Sequence, residues 1–360
     1  MNWSFWRPSS RATAPLSLAL QGGGAHGAFT WGVLDALLTQ EDFRLHALSG
    51  ASAGAMNAVV LAHGLLQGGW RGGPDAPPPS ACRAARAALR SFWHALGTRL
   101  PFGWATTGEG ESTSLAPAVR AALRWSQWLS PYQFNPMGLD PLRQIVEDQI
   151  DFAALRRASP VELFVATTHA ATGRLRLFRE HEITADALLA SACLPNLHHS
   201  VLIDGQAYWD GGFSANPPVW PLVNSAHASD LMLVLLSPPT GHADPPRTAH
   251  DIRHQAQELA FHAPLMRELE WLADWRDAPS GWPASARERR LRHLRLHLVD
   301  GRAHLATLAG ETRLIAHLPF LEHLRALGEA AGRRWWGEHG RLVGRSSTVD
   351  LAAVWEGVAA

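Results

Sequence analysis

The 360-residue chain contains no lysine: its 32 basic residues are all arginine, and 32 acidic residues balance them to a formal net charge of zero. Without a lysine ammonium there is neither a lysine Schiff base nor the lysine of a phosphate-binding P-loop. A neutral total gives no global attraction for polyanions, so no nucleic-acid partner is expected. Cysteine is scarce too. Cys82 and Cys193 are too few for a disulfide framework and have no metal-ligand spacing, so no metal is expected. Long apolar runs are also missing, and the stretch from Ala14 to Leu20 is shorter than a secretory signal core. The expected location is cytoplasmic, with any membrane contact peripheral.

What is present suits a globular chain with a substantial core: 46% of residues are hydrophobic and 18% charged. Residues 15–21 form a short apolar run ended by glycine, and Phe29, Val33, Leu34 and Leu37 share one helical face over residues 28–38. The same strand, glycine turn and helix recur in "FRLHALSG", "GASAG" and "AMNAVVLAHGLL". Two such units in succession predict a parallel α/β sheet. "VELFVATT" at 161–168 and "LMLVLL" at 231–236 extend it, and the sheet is expected to close near residue 236.

The Gly- and Pro-rich stretch 67–80 opens an insertion or cap that runs to about residue 135. Its aromatics Trp93, Phe102, Trp104, Trp125, Trp128 and Tyr132 are candidates for an acyl-binding cap or an interfacial patch. Residues 224–360 supply the remaining core strand and then a mainly helical C-terminal appendage, with helices expected over 252–275 and 318–339 and a strand-like "LRHLRLHLV" between them.

Gly22, Gly24 and Gly27 in "GGGAHG" fit the spacing of a dinucleotide fingerprint, with Glu41 or Asp42 near the distance of a ribose-binding acid. A glycine turn feeding a helix N-terminus presents free N–H groups that suit a pyrophosphate or a transient oxyanion equally well. The next turn separates the two readings. Gly50, Ser52 and Gly54 form a G-x-S-x-G elbow between a strand and a helix, which lifts a serine oxygen above the sheet. Such a serine needs a base, and "IDGQAYWDGGFSANPP" offers Asp210 in a D-G-G turn, with Asp204 six residues earlier.

In order along the chain, "GGGAHG", "GASAG" and "DGG" together resemble the patatin-like phospholipases over about residues 15–223. The resemblance implies a three-layer α/β/α sandwich with a mostly parallel central sheet. It also implies a Ser–Asp dyad that works without a catalytic histidine, metal or cofactor. Carried over, Ser52 is the nucleophile, Asp210 the general base, and the backbone of Gly22, Gly23 and Gly24 the oxyanion hole, supported by Gly27, Gly50, Gly54, Gly211 and Gly212. The substrates implied are phospholipid or other lipid acyl esters. Residues 252–350 also look like an extension found in a bacterial branch of the family. His26 stands where the family commonly has Arg or Lys, Gln21 where it has aspartate, and the pair His198–His199 where it often has an aromatic and proline. A protonated His26 would supply the missing cation beside the oxyanion, whereas a neutral one would only brace the loop. The rival readings are a dinucleotide-binding oxidoreductase and a catalytically silent lipid-binding protein.

Overall fold

The computed structural model describes residues 14–99, 105–126, 129–225, 229–237, 245–277, 285–306, 308 and 310–350. Strand and helix alternate at first: β1 (Leu16–Leu20), α1 (Gly27–Leu37), β2 (Leu45–Gly50), α2 (Ala53–Gln67) and then α3 (Pro79–Arg99). An excursion follows through the small ribbon β3 (Thr106–Thr107) and β4 (Ser114–Leu115) and the helices α4 (Pro117–Ser126), α5 (Pro131–Phe134), α6 (Pro141–Gln149) and α7 (Phe152–Ala158). The chain re-enters the sheet with β5 (Glu162–His169) and β6 (Leu175–Arg179). It continues through α8 (Ala185–Ser191), the hairpin β7 (Val201–Ile203) and β8 (Gln206–Asp210), α9 (Trp220–Asn224) and β9 (Asp230–Leu235). The last part comprises α10 (Ala249–Asp277), α11 (Ala286–His293), β10 (Arg295–Asp300), α12 (Arg302–Leu305) and α13 (Leu318–His339).

The eight-stranded sheet runs β10-β9-β1-β2-β5-β8-β7, with β6 also on β5. The run from β10 to β5 is parallel, and β6, β7 and β8 are attached antiparallel. Every residue of β1 and β9 is buried, as strands covered on both faces must be. One face packs on α1, α2, α3 and α13, and the other on α9, α10 and α11, which makes the three layers. The central sheet and its flanking helices are therefore the sandwich anticipated from the sequence.

The sheet does not close near residue 236. β10 pairs in parallel along the whole of β9, so the strand-like "LRHLRLHLV" becomes an edge strand of the core. The C-terminal helix is equally integral. A Cβ at Gly328 would stand 1.9 Å from Phe29 O, and one at Gly32 would stand 1.9 Å from Arg325 O, so α13 and α1 nearly touch backbone to backbone. Only glycine permits that approach. Since α1 begins where "GGGAHG" ends, the C-terminal region buttresses the loop that carries the chemistry.

Candidate active site

The parallel strands end together at one edge of the sheet, where three turns meet. Between β2 and α2, Ser52 adopts φ 52° and ψ −126°, a left-handed conformation that a non-glycine residue holds only under constraint. Here the constraint is close packing: a Cβ on Gly54 would lie 2.0 Å from Leu20 O, and one on Gly50 would lie 2.4 Å from Gly54 C. The Ser52 N–H donates to both Ser191 O (3.1 Å) and Ser191 Oγ (3.0 Å), which pins the elbow to α8. Ala53 is the first residue of α2, so its N–H is one of the unspent donors of a helix N-terminus.

The glycine loop after β1 lies against this elbow. A Gly22 Cβ would meet Ala51 O at 2.7 Å and the Ser52 Cβ at 2.9 Å, so only a bare backbone fits. The loop faces the serine turn, while Glu41 and Asp42 are exposed at the far end of α1. Gly22 itself departs from expectation. Its N–H donates to Asn216 Oδ1 at 2.7 Å and is spent. The amides of Gly23 and Gly24 have no hydrogen-bond partner among the described residues. Gly24 has φ +58°, and the Arg313 carbonyl would lie 2.3 Å from any Cβ placed on it. Gly27 opens α1 against Ala53 and Trp93. Gln21, where the resemblance calls for aspartate, is fully buried and accepts the N–H groups of Leu236 (2.6 Å) and Ser237 (3.0 Å).

Asp210 closes β8 and starts the third turn. Its N–H is held by Cys193 O (2.8 Å) and its carbonyl by Thr168 Oγ1 (2.8 Å), so the backbone is fixed on both sides. The side chain is 1% exposed. Oδ1 accepts the Gly212 N–H at 2.7 Å, while Oδ2 is sealed from solvent without a well-aligned partner. Burial pushes the carboxyl up to about 7, against the opposing pull of Gly212 N–H and the nearby Ser52 hydroxyl. Gly211 packs on the Ala166 carbonyl and Gly212 on Phe261 of α10. Asp204, the other aspartate of this stretch, sits with Gly205 in the β7–β8 hairpin turn, both at positive φ, which is a turn role.

His26 is buried, and its Nε2 shares a 2.7 Å hydrogen bond with Thr312 Oγ1. Burial, aided by the Arg313 charge, pushes the imidazole down to about 3, so it is neutral at ordinary pH and the bracing alternative is favoured. Trp93 is a core residue, 1% exposed, bonded through Nε1 to Asn57 Oδ1 and stacked on Trp31, and it lines no cap. Phe102, Trp104 and Trp128 lie outside the described residues, as does the side chain of Trp125. Tyr132 is exposed and stacks on His199 at 4.2 Å. Among the described residues no histidine bonds Ser52 or Asp210, and no group of three metal-binding side chains occurs. No described helix is long and apolar enough to cross a membrane.

Asn216 joins the glycine loop to the Asp210 turn, Ser191 ties the elbow to α8, and Arg313 lies against Gly24; none of the three was assigned a role in the site from the sequence. Asn216 falls within the stretch quoted above for Asp210, but nothing local to it indicates a partner far away in the chain.

A family model described as patatin-like phospholipase matches residues 18–223. No curated protein matches the chain significantly. Among solved structures, VipD from Legionella pneumophila is similar at 16% identity, covering 89% of this chain and 67% of that one, with a TM-score of 0.34 that carries no weight for the fold. The family match spans more than half of the chain and encloses all three turns of the site, and the family's activity is in general that of a lipid acyl hydrolase: the chain belongs to the patatin-like phospholipase family.

Proposed function

We propose that this protein is a serine acyl hydrolase that cleaves lipid acyl esters through a Ser52–Asp210 dyad and an acyl-enzyme. One observation carries the reading: a serine held at positive φ stands beside a buried carboxyl that burial lifts to about 7, one of whose oxygens has no well-aligned partner. A carboxylate so placed is basic enough to take the serine proton near neutral pH.

In the first half-reaction the Ser52 Oγ–H proton passes to Asp210 as Oγ bonds the ester carbonyl carbon. The carbonyl oxygen takes up negative charge, for which the unspent amides of Gly23, Gly24 and Ala53 are the available donors. Collapse breaks the ester C–O bond, and Asp210 returns the proton to the leaving alcohol. Water repeats the sequence on the acyl-enzyme, releasing the fatty acid and restoring Ser52.

Peripheral contact with a lipid surface is part of this reading. The stretch 129–139, "LSPYQFNPMGL", has no charged residue. Met137 is 83% exposed, Leu139 70% and, on the adjoining hairpin, Leu202 67%. Hydrogen bonds connect this patch to the dyad's hairpin: Ser200 N–H donates to Tyr132 Oη (3.2 Å), and Trp209 Nε1, next to Asp210, donates to Ser200 Oγ (2.9 Å). An uncharged apolar patch beside the site suits an uncharged or zwitterionic lipid surface.

Labelling with a fluorophosphonate tests the reaction class. The wild type is expected to form an adduct that Ser52→Ala abolishes. Labelling that survives the substitution, or no labelling at all, would overturn the proposal.

A further inference from the structure

Asn216 lies six residues beyond Asp210 and is 3% exposed. The orientation of its amide is decided by chemistry. A backbone N–H can only donate, so the atom 2.7 Å from Gly22 N must be Oδ1, and the NH₂ group occupies the other branch. That Nδ2 has no hydrogen-bond partner among the described residues, yet it is not one of the polar atoms sealed from solvent. Two donors are therefore unspent on a nearly buried side chain. Their position matters as well. Asn216 Oδ1 and the Ser52 Cβ lie 3.1 and 2.9 Å from the same point, the place a Gly22 Cβ would occupy. The amide is thus a neighbour of the proposed nucleophile, on the side of the glycine loop.

We infer that Asn216 is a further catalytic residue, whose Nδ2–H donates to the oxyanion that forms when Ser52 attacks an ester carbonyl. The inference rests on the hydrolase reading above. It also explains the loss of Gly22 from the expected set of donors. The Gly22 amide orients a side-chain donor in place of donating itself, and one residue both joins the glycine loop to the Asp210 turn and completes the hole. A side-chain amide can fill this role because the oxyanion needs donors aimed at it beforehand, whatever their chemical origin.

The test uses an alkyl trifluoromethyl ketone, which Ser52 would convert to a hemiketal that mimics the tetrahedral intermediate, with ¹⁹F NMR reading the pKa of the hemiketal hydroxyl. Removing the donor by Asn216→Ala should raise that pKa and lower kcat by about 10²–10³-fold with KM little changed, the usual scale for one oxyanion donor. A purely structural residue would reduce the amount of adduct without moving the pKa of the adduct that forms. Asn216→Asp keeps the acceptor for Gly22 N–H, preserves the join between the turns, and guards against a variant that fails to fold. Its kcat should fall at least as far as that of Asn216→Ala. Near-normal turnover in Asn216→Asp, or an unmoved hemiketal pKa in Asn216→Ala, would overturn the assignment and leave the hydrolase reading standing. Absence of any Ser52-dependent adduct in the wild type would overturn both.

Discussion

Asp210 and Asp230 are both carboxylates buried in the same sheet, and their surroundings have driven them in opposite directions. Asp230 lies at the far end of the strands from the site and is saturated. Arg295 reaches it through Nε (3.0 and 3.1 Å) and Nη2 (2.8 Å), His297 through Nε2 (3.0 Å), and Gly344 N–H and Ser229 Oγ complete the set at 2.8 Å each. Burial alone would raise its pKa, but these bonds, led by His297 and Arg295, hold it well below the usual carboxylate range. Asp210 has one backbone amide, the nearby Ser52 hydroxyl and, among the described residues, no cation, and burial wins. Both are closed off from solvent, with Asp210 the more completely enclosed. What separates an anchor from a candidate base is how many donors surround the carboxyl.

The sharpest way to break this comparison is to neutralise each carboxylate. Asp210→Asn should lower kcat/KM by about 10⁴-fold or more, with no loss of stability, and Ser52→Ala should do the same. Because the two act as a unit, the double variant should be hardly worse than either single one. Asp230→Asn should reverse the pattern. Kinetics per folded molecule should be unchanged, while denaturant melts show a loss of about 3–5 kcal/mol from a broken buried ion pair. Stability loss at Asp210 together with activity loss at Asp230 would abolish the distinction.

The pH dependence has a definite sign for each group. Asp210 binds its proton more tightly folded than unfolded, so its contribution to stability is full below the unfolded value of 3.8 and is lost as pH rises through about 7. Between pH 4 and 8 the wild type should therefore lose stability relative to Asp210→Asn, by up to about 4 kcal/mol. Over the same range kcat/KM should rise with a midpoint near 7, because the base works only when ionised. Asp230 has the opposite sign: its contribution is present above the unfolded carboxylate value and disappears only in strong acid, as pH falls through its depressed folded value. Parallel pH profiles for wild type and Asp210→Asn would contradict this account.

Smaller effects are expected away from the two carboxylates. Met137→Asp combined with Leu139→Asp should weaken binding to phosphatidylcholine vesicles about tenfold and leave hydrolysis of a soluble acetyl ester nearly unchanged, since partial burial of two apolar side chains is at stake. Equal losses on vesicles and on the soluble ester would point to a folding defect. His26→Gln should have the least effect, within about threefold and with no change in the alkaline limb, because the imidazole is already neutral.

Much of the architecture was legible in the chain because it depends on neighbours in sequence. Apolar spacing marked a helix over 318–339, where α13 runs Leu318–His339, and, after a glycine turn, one over 28–38, where α1 runs Gly27–Leu37. The alternation of buried runs and glycine turns marked β1, β2, β5 and β9. Trp93 was harder to place, since an aromatic on an amphipathic helix looks the same whether that face meets a cleft or the core. The place of β10 was hidden for a related reason: a short apolar run can be recognised as a strand, but the strand it will pair with cannot.

The same division holds within the site. Ser52, Asp210 and the glycines announce themselves because tight turns demand small residues at fixed spacing, and fixed spacing is a property of the chain. That Gly22 donates to Asn216, 194 residues away, and that His26 meets Thr312, 286 residues away, are products of packing alone. So are the opposite protonation tendencies of Asp210 and Asp230. A carboxyl's affinity for its proton is set by the water removed from around it and the donors brought to it. Both are settled only when distant segments close over it.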